Sequence, residues 1–139
     1  MNSIPRSRFL PRIFRAVFLI SMLGTLISAD RVTEPKRVAL VFDDGPRPAD
    51  AEPLLAGLAR EKVTASFALV GDRVRENPGV AKAILAAGHE VVNHSQTHAQ
   101  PRDLGDEGLA NEVAGAQRTI AEATGIAPRW YWPPYLAVD

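Results

Sequence analysis

A chain of 139 residues with 46% hydrophobic content has the material for one domain around a single core. Sixteen basic residues balance sixteen acidic ones, but the first 29 residues hold four arginines and no acid. The remainder carries 12 bases against 16 acids, which argues against nucleic-acid phosphates as a partner. There is no cysteine, so disulfides and thiolate metal sites are excluded, and any metal must be held by His, Asp, Glu and water.

At the start of the chain, Arg6, Arg8, Arg12 and Arg15 precede an uncharged, largely apolar stretch over residues 16–29 that ends in Ser28 and Ala29. A basic start, an apolar stretch and small residues at its end predict a signal peptide over residues 1–29 and an exported protein. The alternative is an uncleaved membrane anchor, although the stretch is shorter than the ~20 residues a spanning helix needs. Residues 30–35 read as a polar spacer, and residues 36–139 as the domain proper.

Residues 38–42, VALVF, form the kind of continuous apolar run expected of a strand buried on both faces. A helix is expected from residue 49 or 50 to 60, with Leu54, Leu55 and Leu58 on one face. Residues 64–70 read as a second strand, ended by Gly71. Asn77-Pro78 predicts a helix cap followed by proline at the first helical position, and Gly88 closes that helix. Residues 90–93 form a third short strand, with His94 directly after it. Residues 107–124 predict a longer helix ended by Gly125, with Leu109, Val113 and Ile120 as its apolar stripe. A fourth strand is expected over residues 128–132.

Strands and helices alternating at this interval predict an α/β fold of βαβ units with a parallel sheet. In such folds the functional site lies at the carboxyl ends of the strands. Asp43-Asp44, His94 and Pro133-Pro134-Tyr135 follow the first, third and fourth strands, so all three are expected on one rim. Two adjacent carboxylates repel each other and are costly to desolvate unless something offsets the charge. A divalent cation does so, with His94 and His98 as its remaining protein ligands. Two imidazoles and one carboxylate leave a position open, as a catalytic site requires, while the second aspartate stays free as general base. The HxxxH spacing places both rings on one side of a helical turn or tight loop. His89 reads as structural and Phe67 as core, and Arg47 and Arg73 read as solvated charges. Trp130, Tyr131 and Trp132 suit either sugar stacking or packing.

The motifs VFDDGP (41–46), NHSQTH (93–98) and Pro133-Pro134-Tyr135, with Gly88-His89-Glu90 and FALVG (67–71), resemble those of the polysaccharide deacetylases, the NodB homology domain of carbohydrate esterase family four. The resemblance covers roughly residues 36–135. It implies a distorted, seven-stranded (β/α) barrel, of which this chain holds about four units and so looks truncated at its C-terminus. It also implies hydrolytic removal of N- or O-acetyl groups from a polysaccharide such as peptidoglycan, chitin or xylan. By the same resemblance Asp43 is the general base, and Asp44, His94 and His98 hold Zn2+, with Co2+ or Ni2+ as alternatives. The resemblance also has the backbone amide of Tyr135 bind the oxyanion; Trp132, Pro134 and Tyr135 are the candidate substrate contacts.

Two departures stand out. Where the family has an arginine that orients the catalytic aspartate, this chain has Trp132, with Arg129 three residues earlier as a possible substitute. The later motifs, including a histidine general acid, have no counterpart after His98. A catalytically impaired, exported carbohydrate-binding relative is therefore the alternative function. A phosphoryl-transfer enzyme with an aspartate nucleophile fits poorly, because such sites separate their aspartates by one residue and Pro46 here follows Gly45.

Overall fold

Short runs rich in valine, phenylalanine and alanine form three parallel strands, joined by helices whose apolar faces turn inward. The computed structural model describes residues 36–137, so the expected signal over residues 1–29 and the spacer over 30–35 lie outside the described residues. In chain order the elements are β1 (Val41–Gly45), α1 (Pro48–Glu61), β2 (Ser66–Leu69), α2 (Gly71–Glu76), α3 (Pro78–Ala86), β3 (Glu90–Asn93) and α4 (Asp106–Thr124). Single 3-10 turns lie at Pro101–Asp103 and Pro134–Leu136. The sheet order is β1-β2-β3, and both pairings are parallel. Among the described residues no helix is long and apolar enough to cross a membrane.

The third strand falls where its sequence puts it, and the α/β class holds. The first strand does not match. It begins at Val41 and includes both aspartates, and among the described residues it pairs with β2 alone, with Val38 85% and Val41 37% exposed. An apolar run alone does not report whether both faces of the strand will be covered. The expected fourth strand is reduced to one bridge, Tyr131 against Asn93. Asn93 N–H donates to the Trp130 carbonyl (2.9 Å) and Trp132 N–H to the Asn93 carbonyl (2.8 Å). Pro128, Pro133 and Pro134 lack the donors that would extend this pairing.

Helix ends follow local chemistry with one exception. Pro48 occupies the first turn of α1, and Gly125 ends α4 with φ of 80° and its N–H on the Ala121 carbonyl at 2.8 Å. Asn77, expected to cap α3, makes no side-chain cap bond there. It joins α2 directly to α3, and its Nδ2 donates backward to the Arg73 carbonyl at 3.3 Å. The whole of α2 went unforeseen, because six residues are too few to display a helical period.

The core is built from Leu58, Phe67, Leu69, Val74, Ile84, Val91 and Ile120, supported by Ala81 and Ala116. Ile120, on the inner face of α4, has no solvent exposure. Ile120→Ala is expected to destabilise the fold by about 2–5 kcal/mol, from lost burial and the cavity left behind. Urea denaturation checks this, and a loss under about 1 kcal/mol would show that the neighbours collapse into the space.

Candidate metal centre

The pairing of β1 with β2 holds a bulge at the aspartates. Phe42 stands opposite Phe67 and Gly45 opposite Leu69, so Asp43 and Asp44 together face the single residue Ala68. Adjacent residues on a regular strand point to opposite faces, and a bulge re-aims one of them. Asp44 absorbs the irregularity with a left-handed backbone, φ of 61°. Its carbonyl accepts a hydrogen bond from Arg73 Nη1, and that guanidinium also stands 3.8 Å from Asp44 Oδ1. Arg73 is therefore not a merely solvated charge, as its sequence context suggested, but a cation beside Asp44. Arg129 is exposed, and Arg47, as expected, lies in solvent.

After β3 the chain turns sharply through residues 94–98. HxxxH here is a tight loop and not a helical turn, with Ser95 at φ of 70° and His98 at 65°. His94 is 2% exposed. Its Nδ1 lies 2.6 Å from the Trp132 carbonyl, which can only accept, so Nδ1 donates there and Nε2 is the ring nitrogen left to coordinate an ion. That Nε2 lies 3.5 Å from Asp44 Oδ1, and His98 Nε2 lies 2.9 Å from the same oxygen. Ligand atoms of Asp44, His94 and His98 all fall within 4.8 Å of one another.

This donor set fits a divalent cation. Asp44 Oδ1 is buried yet accepts no hydrogen bond, a costly state for a carboxylate unless a cation completes its surroundings. The backbone carbonyl behind His94 is the kind of outer partner that orients a metal-binding imidazole. Asp43 is exposed and beside a cavity of about 90 Å³ that Asp44, Pro46, Leu54 and Phe67 also line. Tyr135 comes over the same centre from the turn after the two prolines. Its ring meets that of His98 edge-on at 4.8 Å, and its φ is 59°. Pro134 is buried beneath this turn. Trp132 is half-buried and contributes its carbonyl, while Trp130 is 61% exposed.

One contributor went unforeseen. Glu112 on α4 accepts hydrogen bonds from Ser95 Oγ, Thr97 N–H (2.8 Å) and Thr97 Oγ1 (2.9 Å). Its signal was an acid on the apolar face of its helix, three residues after Leu109 and four before Ala116. Burial alone pushes this carboxyl up, but the bonds from Ser95 and Thr97 and the Gln96 backbone outweigh it and hold it below its usual range. The stability this adds is complete above the ordinary carboxylate range and is lost as pH falls through the lowered value. Burial first, then the charge of Glu112, pushes the Tyr131 phenol up. His89 is structural, as expected. It is buried, and its Nδ1 accepts from Ala65 N–H at 3.3 Å.

The polysaccharide deacetylase family model matches residues 30–139. A peptidoglycan-N-acetylglucosamine deacetylase of Listeria monocytogenes, PgdA, is 38% identical over 104 residues, covering 75% of this chain and 22% of its own length. The solved structure of the Bacillus subtilis peptidoglycan deacetylase PdaC superposes with a TM-score of 0.72 at 34% identity, covering 75% of this chain and 52% of that one. BA3943, a pseudoenzyme of carbohydrate esterase family four from Bacillus anthracis, superposes at 0.71 with 32% identity, covering 75% of this chain and 37% of that one. The chain thus spans about half or less of each of these relatives. With the family model reaching across the sheet, the HxxxH loop and the Pro-Pro-Tyr turn, the chain belongs to the polysaccharide deacetylase family.

Proposed function

We propose that this chain carries the metal-binding half of an exported hydrolase that removes acetyl groups from a polysaccharide, with peptidoglycan the leading substrate. The observation that carries the reading is the convergence of His94 Nε2 and His98 Nε2 on a buried Asp44 oxygen that accepts no hydrogen bond. Asp44, His94 and His98 are the assigned ligands, and Zn2+ is the preferred ion, since imidazole and carboxylate donors with open positions suit it. When bound, such an ion polarises a carbonyl oxygen and makes water more acidic. Asp43 takes a proton from the attacking water, a role open to a carboxylate that stands beside the ligand set without belonging to it. The Tyr135 backbone amide donates to the oxygen that gains negative charge as the acetyl carbonyl is attacked. Two relatives are named for peptidoglycan deacetylation, which supports the substrate class. The arginines and apolar stretch at the start of the chain support export.

A second reading is favoured by Trp132, which stands where the family has arginine. On that reading the chain binds metal and glycan but releases no acetate, and the presence of a pseudoenzyme among its structural relatives supports an inactive member. Acetate release from N-acetylated peptidoglycan, with and without a chelator, tests the two. Release that stops with chelation and returns with zinc supports the hydrolase. Zinc uptake without acetate release moves the assignment to the second reading. Trp132→Arg is expected to raise kcat/KM on the order of tenfold, equivalent to about 1.4 kcal/mol. No gain would mean that Arg73 already supplies the charge this site needs.

A further inference from the structure

The two histidines depend on a loop that is unfavourable in isolation. Ser95 and His98 both hold left-handed backbone, which is unfavourable for a non-glycine residue unless its surroundings impose it. What imposes it comes from α4. Glu112 Oε2 accepts from Ser95 Oγ and from Thr97 N–H at 2.8 Å, and Oε1 accepts from Thr97 Oγ1 at 2.9 Å. Ser95 directly follows His94 and Thr97 directly precedes His98, so one carboxylate grips the loop just inside both imidazoles. The same helix carries the second fixing point. Asn93 Nδ2 donates to the Val113 carbonyl at 2.9 Å, and Asn93 Oδ1 accepts from Ser95 N–H at 2.9 Å. Gly115 lets helix and loop approach this closely, since a Cβ there would come within 3.2 Å of the Gln96 side chain.

We infer that Glu112 is a positioning residue for the metal centre, setting the separation and direction of His94 and His98 by clamping Ser95 and Thr97 without touching the ion. This rests on the metal-centre reading above. The charge strengthens the grip: an amide in its place would offer a neutral oxygen to Ser95 Oγ and Thr97 N–H and its NH2 group to the Thr97 hydroxyl, so all three bonds would lose their charge-assisted strength.

The test uses the full chain and three variants: Glu112→Gln, Glu112→Asp, and Glu107→Gln as an exposed control in the first turn of the same helix. Zinc affinity is measured by competition with a chromophoric chelator, and melting is followed separately in the metal-free state. Glu112→Gln is expected to weaken zinc binding by about 10–100-fold, the range for lost partners behind metal ligands. Glu112→Asp should fall between it and the parent, and Glu107→Gln should match the parent. A merely structural role would lower metal-free melting while leaving zinc affinity at low temperature unchanged, and that result overturns the inference. Affinity within twofold of the parent for Glu112→Gln overturns it as well. A parent chain that takes up no zinc refutes the metal centre itself. Glu112 is then judged by hydrogen exchange at the Thr97 amide, where faster exchange in Glu112→Gln upholds the clamp and unchanged exchange removes it.

Discussion

Asp44→Ala is expected to abolish tight metal binding, with zinc affinity falling by more than the ~10–100-fold that follows the loss of an outer partner. The reason lies in the geometry. Asp44 Oδ1 is the point on which both Nε2 atoms converge, at 2.9 and 3.5 Å, so its removal leaves two imidazoles and no anionic donor. His98→Ala should have an effect of similar size. His94→Ala should add a fold penalty, because His94 is 2% exposed and its Nδ1 is bound to the Trp132 carbonyl. Metal analysis after dialysis, with calorimetric titration of zinc, measures all three. Retention of a stoichiometric ion by Asp44→Ala would place the centre elsewhere.

Asp43→Asn should separate binding from chemistry. Zinc affinity is expected to stay within a few-fold of the parent, while the rate of acetate release falls by about 10²–10⁴, the range for loss of a general base. The basis is placement. Asp43 is adjacent to a ligand, exposed, and beside the cavity that Asp44 also lines, yet it lies outside the triad whose atoms converge. Steady-state kinetics on an N-acetylated oligosaccharide, alongside the zinc titration, checks both halves. Undiminished acetate release would overturn the base assignment, and loss of the ion would make Asp43 a ligand instead.

Much of this could be read along the chain because the signals were local. The run into Asp43-Asp44 and the HxxxH pair directly after a short strand lie at strand ends, which parallel topology brings to one rim, and the prolines before Tyr135 follow the single bridge to β3. The boundaries of β3 and α4 were legible for the same reason, set by a β-branched run and by a helix with Gly125 at its end. What stayed hidden was relational. The apolar run over residues 38–42 does not report how well its faces will be covered, and among the described residues Val38 and Val41 proved exposed. Prolines flanking residues 129–132 weigh against a strand only once the ladder they would have to join is known.

Residue identity and order were thus enough to establish the α/β class, the family and the three side chains suited to a cation. Only the tertiary structure decided how those side chains meet. The bulge opposite Ala68 turns Asp44 out of strand alternation, Arg73 arrives from a helix too short to have a period, and Glu112 reaches across from α4 to hold the histidine loop. These depend on backbone register and on contacts between residues 15 or more positions apart. Composition and spacing carry no record of such contacts until the chain has folded back on itself.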